Sequence, residues 1–480
     1  MLLATIIGSA AGLALDLYAN GLLSIDDYGR YGAWRRLLLF AGLFCQAGME
    51  NVVLREVATG AGEHKFVRIR AALTGTVGLA LFTGAVLVLA AAPLAEWLDG
   101  GPDGVRLVMI GAISLPFAAV RLVAVSGSQG LGVLRHRAVV MFLAWPAGLA
   151  LGFGVLTHGL GLGLLGAALG YLGSMAFGAV LSLVQLLRLE PRAVGLGGLG
   201  VFGGLLAVGW PLWLQSFLGA TSAWADQVLL AGIRSAADAG VYGPVATLVP
   251  LFGMGLGALN QSFAPEIARR HHAGDHTGLK HLYQTVARWA LVVTLPPSLV
   301  CLVLPEVVLG LWPNGDPAAS TALRLCAGAS LFGTAVGSVN YLLIMSGRPR
   351  AALLNAALAA GGSLLFSFLL IPRYGVTGAA LANVSATLLS NGVGLLAVGW
   401  TLGMWPFHRQ MLKVLVVSIG VGIALWPLRS LDLSPWLVGP AAGALATAAL
   451  VAGLVLSGLN DDDREALSAL RQKLGRRIGG

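Results

Sequence analysis

Ionisable side chains inside long apolar stretches are the residues of this chain best suited to chemistry. Those that stand out are Asp16, Arg35, Arg36, Glu50, Arg121 and Asp226. A charge in hydrocarbon is costly, so such groups face the protein interior, a partner or water. Guanidinium groups bind phosphate oxygens through paired hydrogen bonds and keep their charge in a poorly solvated site. Because arginines outnumber acids in the apolar stretches of the first half, these residues favour an anionic ligand.

The spacing along the second apolar stretch predicts a polar stripe on one helical face. Arg35 and Gln46 are 11 residues apart, and at 100° per residue they lie within about 20° of each other, with Glu50 about 60° away. We expect this stripe, together with Arg36 and Arg121, to line a substrate cleft. Arg36 points elsewhere around the helix. For it and for Arg121, the alternative is a side chain that extends to the nearest membrane surface.

Uncharged polar residues in later apolar stretches extend the expected cleft. They are Gln215, Asn260, Asn340 and Asn355. Each has an alternative role as a hydrogen-bonding contact between neighbouring helices. From the sequence, both interpretations stand.

Asp16 and Asp226 are the acids expected to bind a coupling ion, either H+ or Na+. The alternative is a structural role, in which each carboxylate caps a helix or pairs with a neighbouring arginine. No other cofactor is expected. The three cysteines each lie in an apolar segment, which favours packing over a disulfide framework or a metal site.

Membrane-spanning helices are the elements that must position these groups. Of the 480 residues 57% are hydrophobic and 11% charged, whereas soluble domains carry roughly 25% charged residues. Apolar runs of about 20 residues match helices that cross a hydrocarbon core of ~30 Å. We therefore predict an all-α polytopic membrane protein with about 14 spans. They lie near residues 1–23, 30–51, 70–92, 106–126, 138–157, 163–187, 199–223, 241–263, 286–309, 321–345, 351–371, 377–400, 413–429 and 436–458.

The distribution of basic residues predicts the orientation of these spans. With both termini in the cytoplasm, 21 of the 30 lysines and arginines lie on the inner side, as the positive-inside rule requires. The net charge of +9 is therefore explained by topology rather than by nucleic-acid binding. The first apolar run lacks the basic segment and cleavage site of a signal peptide, so we expect it to be the first helix. The loops are too short to hold an active site outside the membrane.

An internal repeat organises the chain. The stretch "DLYANGLLSIDDYGRYG" resembles the later stretch "DQVLLAGIRSAADAGVYG". Further similar pairs follow in the same order at offsets of 210 to 213 residues. We expect an N-terminal lobe (1–192), a parallel C-terminal lobe (193–401), two added helices (402–458) and an amphipathic cytoplasmic tail (459–480). Two parallel six-helix repeats enclose a crevice that rocking exposes alternately to each side. The repeated Gly-x-Tyr-Gly element is expected to be a tight turn with an interfacial tyrosine, and the alternative is a direct role in substrate binding.

Three stretches of the chain resemble one family of membrane proteins. They are "YGRYGAWRRLLLFAGLFCQAGMENVVLREVA", "DQVLLAGIRSAADAGVYGPVATLV" and "IPRYGVTGAALANVSA". Through them the chain resembles the polysaccharide or O-antigen (Wzx-type) flippases of the multidrug/oligosaccharidyl-lipid/polysaccharide (MOP) exporter superfamily. The resemblance covers roughly residues 10 to 400, and the third stretch is the most specific.

The resemblance implies a function and a location. Such proteins carry undecaprenyl-pyrophosphate-linked oligosaccharides from the inner to the outer leaflet of the bacterial cytoplasmic membrane, for surface polysaccharide biosynthesis. The expected partners are the lipid-linked oligosaccharide, membrane lipids and the polysaccharide polymerase or ligase machinery, and no nucleic acid. The chain is not expected to be an enzyme. The alternatives are a cation-coupled multidrug exporter of the same superfamily and an integral-membrane glycan ligase or polymerase.

Overall fold

The computed structural model describes residues 2–60, 62–195, 197–430 and 434–456, without the side chains of residues 2–7, 261, 262, 265 and 456. Within these ranges the chain forms helices and loops and no β-strand, which confirms the all-α polytopic fold. The α-helices are α1 (Leu2–Leu22), α2 (Ile25–Gln46), α3 (Met49–Thr59), α4 (His64–Leu89), α5 (Ala91–Trp97), α6 (Gly104–Gly130), α7 (Leu134–Val139), α8 (Trp145–Gly152), α9 (Gly163–Leu189), α10 (Leu199–Ile233), α11 (Ala236–His272), α12 (His276–Val303), α13 (Pro305–Leu309), α14 (Ser320–Val336), α15 (Val339–Met345), α16 (Pro349–Leu402), α17 (Arg409–Leu425) and α18 (Pro435–Leu456). The amphipathic helix expected in residues 459–480 lies outside the described residues.

The number of membrane spans follows from helix length and apolarity. In the described part of the chain eleven helices are long and apolar enough to cross a membrane, and twelve if the bent pair α2–α3 counts as one span. The prediction of fourteen also counts α1 and divides α16, whose Gly375 has a non-helical backbone (φ 53°, ψ −125°). Every predicted span overlaps a helix. The number fourteen and the cytoplasmic location of both termini stay predictions.

Two sets of helices surround separate apolar cores. The N lobe, α1 to α9, is built around buried residues such as Trp34, Leu115 and Phe153. The C lobe, α10 to α16, is built around Tyr242, Leu304 and Cys326. Helices α17 and α18 pack against α12 on the outside of the C lobe. Two π-helical segments, Val140–Ala144 and Phe153–Gly159, flank α8 in the N lobe.

The repeat is visible in how α2 and α11 begin. The hydroxyl of Ser24 accepts a hydrogen bond from the backbone nitrogen of Asp27 at 3.2 Å, and Ser235 caps α11 through Asp238 at 3.1 Å. Both helices start five residues earlier than the apolar pattern predicts, at Ile25 and Ala236. The reason is that their first turns are polar: a serine cap and acids near a helix N-terminus stabilise it without adding apolar residues.

The expected tight turn at Gly-x-Tyr-Gly is wrong, because these residues lie inside the helices. The two helices cross there, with Gly29 against the carbonyl oxygen of Ala236 and Gly240 against that of Ile25. A methyl group on either glycine would overlap the facing backbone. The contact is reciprocal between residues 211 positions apart, as a pseudo-two-fold axis requires. We call the end of the bundle where α2 and α11 begin the crossing end; the topology prediction makes it the outer side.

Candidate substrate cavity

A cavity of about 460 Å³ lies between the two lobes. The N lobe contributes most of its lining, from α1, α2, α6, α8, α9 and the first π-helical segment. The polar and aromatic residues among them are Ser9, Asp16, Arg35, Arg36, Gln46, Ser114, Arg121, Trp145 and Tyr171. The C lobe contributes Trp224 from α10 and Ala246, Thr247, Pro250 and Leu251 from α11. The two walls therefore differ in chemistry: the N-lobe wall is polar and basic, and the C-lobe wall is largely apolar.

Three arginines and one carboxylate line this cavity. Arg36 and Arg121 are buried, and Arg35 is partly buried with its guanidinium 5.8 Å from the ring centre of Tyr31. Among the described residues none of the three forms an ion pair; the pairs involve arginines elsewhere, such as Arg137. Arg36 lies within electrostatic range of Asp16 and of Asp226. The lining thus carries a net positive charge in a poorly solvated space.

Arg121 is held by α6 opposite the first π-helical segment. Its Nη1 lies 2.6 Å from the sulfur of Met141, and its Nε is buried with no hydrogen-bond acceptor among the described residues. The side chain is only 9% exposed. It is therefore enclosed by the protein, as is the buried Arg36.

Asp16 lies where the two lobes meet at the crossing end. Its Oδ2 accepts a hydrogen bond from the hydroxyl of Tyr28 at 2.7 Å and one from Nε1 of Trp312 at 3.0 Å. Tyr28 belongs to α2 in the N lobe, whereas Trp312 belongs to the loop after α13 in the C lobe. One carboxylate therefore joins the lobes.

Two further contacts join the lobes at the same end. Asn314 donates to the carbonyl oxygens of Asn20 (2.6 Å) and Leu23 (2.9 Å) at the end of α1. Conversely, Asp99 of the N lobe accepts a hydrogen bond at 3.0 Å from the backbone nitrogen of Ala236, the first residue of α11. In each lobe, the loop after the short helix (α5 or α13) thus contacts the junction between the first two helices of the other lobe (α10 and α11, or α1 and α2). This reciprocal arrangement closes the crossing end.

Asp226 lies in the C lobe and is only 3% exposed. Its carboxylate accepts hydrogen bonds from the hydroxyl of Tyr242 (2.7 Å), the backbone nitrogen of Gln227 (2.8 Å) and Nδ2 of Asn383 (3.5 Å). It is not among the residues that line the cavity. The two repeat-related acids therefore have different surroundings: Asp16 bonds to both lobes, and Asp226 bonds within one.

Glu50 does not line the cavity, contrary to the expected stripe. The helix breaks after Gln46, because Ala47 (φ 44°) and Gly48 (φ 78°) both have left-handed backbones, and α3 continues at 40° to α2. This break invalidates the angle calculated along one continuous helix. Glu50 instead forms an ion pair with Arg137 at 2.9 Å. Arg35 and Gln46, which precede the break, do share the cavity.

The uncharged polar residues expected in the cleft also lie outside the lining of this cavity. Gln215 is exposed on α10. The hydroxyl of Ser338, at the junction of α14 and α15, donates to Oδ1 of Asn260 on α11. Nδ2 of Asn355 on α16 donates to Oδ1 of Asn340 on α15 at 2.9 Å. The three asparagines therefore make contacts between helices.

Several aromatic residues of the site are missing from the sequence prediction. Tyr28 and Trp312 bind Asp16, and Trp145, Tyr171 and Trp224 line the cavity. A usable signal exists for Trp145, which lies in the middle of a predicted span although tryptophan in membrane proteins is enriched at the interfaces. Trp312 gives no such signal, because a loop tryptophan has many roles.

The opposite end of the bundle carries ion pairs on repeat-related glutamates. Glu56 pairs with Arg68 at 2.8 Å, and Glu266 pairs with Arg269 at 2.7 Å and with Arg270 at 2.6 Å. Hydrogen bonds from Arg269 and Arg270 lower the pKa of Glu266 to about 2. None of these residues lines the cavity. The Glu56 pair joins α3 to α4, whereas the Glu266 pairs lie within the last turns of α11.

The fold is shared with solved membrane transporters. The lipid II flippase MurJ in an inward closed conformation superposes with a TM-score of 0.75 at 13% identity, covering 94% of this chain and 97% of that chain. An inward-facing multidrug resistance MATE family transporter of the MOP superfamily gives 0.65 at 15% identity, covering 82% and 94%. A MOP superfamily transporter from Pyrococcus furiosus gives 0.51 at 16%, covering 84% and 94%. These likenesses show that the chain has the fold of these proteins, with two lobes around a cavity.

Sequence comparison gives the family. A family model described as "Polysaccharide biosynthesis protein" matches residues 1–271, which is more than half of the chain. The chain therefore belongs to the polysaccharide biosynthesis protein family, as the resemblance predicted. The uncharacterized membrane protein MJ1068 of Methanocaldococcus jannaschii is 23% identical over 195 residues, which are 40% of this chain and 37% of that protein. The match thus spans little more than a third of that relative's length.

Proposed function

We propose that this protein moves an undecaprenyl-pyrophosphate-linked oligosaccharide from the inner to the outer leaflet of the bacterial cytoplasmic membrane, for surface polysaccharide biosynthesis. The observation that carries the proposal is the set of three arginines, two of them buried, that line the cavity without a carboxylate ion-pair partner. Membership of the polysaccharide biosynthesis family and the fold shared with a lipid II flippase support it.

The physical basis is the separation of the cargo into two parts. The prenyl chain remains in the bilayer, because its transfer to water would cost about 0.8 kcal/mol per CH₂. The pyrophosphate and the sugars cross through the cavity, where Arg35, Arg36 and Arg121 replace the water that the phosphates lose. Because a guanidinium group stays charged when it is buried, the site keeps its affinity for the phosphates while the lobes move.

Alternating access requires the lobes to separate at the crossing end. In the present arrangement the Gly29–Gly240 crossing and the contacts of Asp16, Asn314 and Asp99 hold that end closed. We propose that binding of H+ or Na+ at Asp16 or Asp226 biases the two arrangements, since an ion shifts an equilibrium by its difference in affinity for the two states. The protein acts as a transporter without catalysing a covalent step. It delivers its cargo to a polysaccharide polymerase or ligase.

The test is surface polysaccharide formation in cells that lack their own flippase. Wild-type protein should restore it, whereas Arg35→Ala and Arg121→Ala should not, although both are expressed at wild-type levels. Arg106→Ala is the matched control, because Arg106 lies on the same helix as Arg121 but its side chain is 71% exposed and pairs with Asp103. Restoration by both cavity variants would overturn the proposed role of the arginines. If the wild type fails to restore surface polysaccharide with several sugar repeats and instead makes the cells resistant to cationic drugs, the cargo is a cationic drug and not a lipid-linked oligosaccharide.

A further inference from the structure

A band of aromatic side chains joins the two lobes where α2 of the N lobe lies beside α10 of the C lobe. We call it the aromatic seam; it consists of Phe40, Phe44, Trp213, Phe217 and Trp224. The ring centres of its cross-lobe pairs lie 5.3 to 6.2 Å apart. Aromatic pairs at such distances attract each other beyond the area that they bury. The aromatic seam therefore closes this side of the lobe interface in the present arrangement.

An apolar groove of about 440 Å³ adjoins the aromatic seam. Phe40 of α2 forms part of its lining, and the rest comes from α10 and α16. Several of these residues are small: Ala225, Ala357, Ala360 and Gly361. The one polar side chain in the described lining is Thr221, whose hydroxyl donates to the carbonyl oxygen of Phe217 at 2.9 Å. The groove therefore suits a purely apolar ligand.

Phe40 lies between this groove and the substrate cavity. Its ring centre is 5.7 Å from that of Trp224, which lines the cavity, and 6.2 Å from that of Phe217, which lines the groove. Its chain neighbour Leu39 lines the cavity, and so does Arg36, about one helical turn earlier on α2. The groove and the cavity therefore lie at the same level of α2, about one aromatic side chain apart.

We infer that the groove binds the prenyl chain of the cargo while the pyrophosphate occupies the cavity. This inference rests on the proposed function, to which it adds the site of the apolar part of the cargo. Because the chain is bonded to the anion, it must leave the cavity close to the arginines. The groove begins beside Arg36 and continues the lobe interface, so the chain reaches it by displacing the ring of Phe40.

A second apolar pocket lies elsewhere on the C lobe. It has a volume of about 450 Å³ and is lined by described residues of α12, α17 and the 3₁₀ segment after α17, such as Val303, Ile423 and Trp426. These elements lie outside the lobe interface, whereas the arginines of the cavity belong to the N lobe. The groove at the aromatic seam includes a residue of each lobe in its lining, and this continuity with the interface favours it as the site of the chain.

The test is binding of farnesyl pyrophosphate to the purified full-length protein in detergent, with inorganic pyrophosphate as the reference ligand that lacks a chain. A methyl group on Gly361 would meet no atom within 4 Å, so Gly361→Leu fills the groove without displacing the backbone. We expect it to weaken binding of farnesyl pyrophosphate about tenfold, since each CH₂ that loses its burial weakens binding about fourfold. Binding of inorganic pyrophosphate should not change. The thermal unfolding temperature should not fall, because leucine favours a helix more than glycine does.

Gly219→Leu is the matched control. Gly219 is exposed on α10, and a methyl group there would also meet no atom within 4 Å. It lines neither the groove nor the cavity. This variant makes the same chemical change in the membrane-facing surface and should bind both ligands as the wild type does.

Photolabelling in phosphatidylcholine liposomes locates the chain. The probe is a farnesyl pyrophosphate analogue with a diazirine on its last isoprene unit, and mass spectrometry identifies the labelled peptides. We expect label at the groove, on Leu218 of α10 and Leu364 of α16. Excess inorganic pyrophosphate should remove this label, because it competes for the cavity. A phosphatidylcholine that carries the same diazirine reports labelling by bilayer lipid.

The outcomes separate the inference from the proposed function. If the wild type does not bind farnesyl pyrophosphate, the anionic prenyl cargo itself is wrong. If the wild type binds it and Gly361→Leu binds it equally well, the groove is wrong and the proposed function stands. An equal loss for inorganic pyrophosphate would contradict a chain site separate from the cavity. Labelling of the groove by phosphatidylcholine alone would make it a site for bilayer lipid, and label on α17 would place the chain in the second pocket; either result overturns the inference.

Discussion

The carboxylate of Asp16 accepts a hydrogen bond from the indole nitrogen of Trp312, 296 residues away in the sequence and in the other lobe. The same oxygen accepts the hydroxyl of Tyr28 from its own lobe. Hydrogen bonds to a buried carboxylate are stronger than those between neutral groups. Any movement that separates the lobes at the crossing end must break the Trp312 bond and leave the Tyr28 bond intact.

Removal of the indole nitrogen should loosen the crossing end. We expect Trp312→Phe to broaden and lengthen the distance between spin labels placed at the exposed positions Asp26 and Pro317, measured by double electron–electron resonance. Trp436→Phe, on the exposed surface of α18, is the control and should leave the distribution unchanged. A distribution identical to wild type in Trp312→Phe would show that this bond does not hold the lobes.

The glycine crossing should tolerate no methyl group. We expect Gly29→Ala and Gly240→Ala each to lower stability by about 1–3 kcal/mol, as overpacking does in tight interfaces, measured by thermal unfolding in detergent. Because the two contacts are reciprocal, the double variant should lose less than the sum. Gly78→Ala is the control, since a methyl group there meets no atom within 4 Å. Equal effects at all three positions would contradict a close crossing.

Glu50 should act on stability and not on ligand binding. Its ion pair with Arg137 is partly exposed, with side chains 28% and 29% accessible, so we expect Glu50→Gln to cost about 0.2–1 kcal/mol. Farnesyl pyrophosphate should bind as tightly as to the wild type. Exchange of the two charges, Glu50→Arg with Arg137→Glu, should restore stability. If Glu50→Gln loses as much affinity for farnesyl pyrophosphate as Arg35→Ala does, Glu50 contacts the ligand and this prediction is wrong.

Neutralisation of Asp226 should remove the dependence of transport on an ion. Its carboxylate is buried and bonded within the C lobe, away from the cavity lining. We therefore expect Asp226→Asn to bind farnesyl pyrophosphate normally, while transport in proteoliposomes no longer responds to imposed H+ or Na+ gradients. If Asp226→Asn and Asp16→Asn both keep that response, the coupling sites are wrong.

The lowered pKa of Glu266 predicts that the stability of the fold depends on pH. Glu266 lies near the C-terminal end of α11, which the topology prediction places on the inner side. The folded pKa of about 2 is below the ordinary glutamate pKa of about 4.3. The ionised carboxylate therefore stabilises the fold at pH values above that ordinary pKa. That contribution is lost as the pH falls through the folded pKa. The wild type should thus unfold at a higher temperature than Glu266→Gln at pH 7, and the difference should shrink between about pH 4 and pH 2. A constant difference would contradict the pairing with Arg269 and Arg270.

Local patterns explain how much of the fold was predictable. Apolar runs locate the helices because each span must bury its own backbone hydrogen bonds in hydrocarbon. A repeat at a nearly constant offset locates two lobes because equal sequences adopt equal local structures, as the caps at Ser24 and Ser235 show. Arg35, Arg36, Gln46 and Arg121, which were expected in the cleft, line the cavity since they lie on helices that face the lobe interface. Asp16, expected to bind a coupling ion, lines it as well. Their contacts with a substrate or an ion stay predictions.

Contacts between distant segments explain what was missed. Glu50 was misplaced because two left-handed residues break the helix before it, and a helical angle cannot be extended through a break. The asparagines were left with two interpretations because polarity inside a span is equally compatible with a cavity and with a neighbouring helix, and the structure shows the contact between helices.

The sequence by itself determined an all-helical membrane protein and predicted two parallel repeats, with arginines too costly to face lipid. These are properties of composition, periodicity and order along the chain. Only the tertiary structure decided that the cavity is basic on one wall and apolar on the other. It alone gave Asp16 a donor from the opposite lobe. The physical reason is that a one-dimensional pattern specifies which residues must be buried, whereas packing of the lobes decides which buried groups meet.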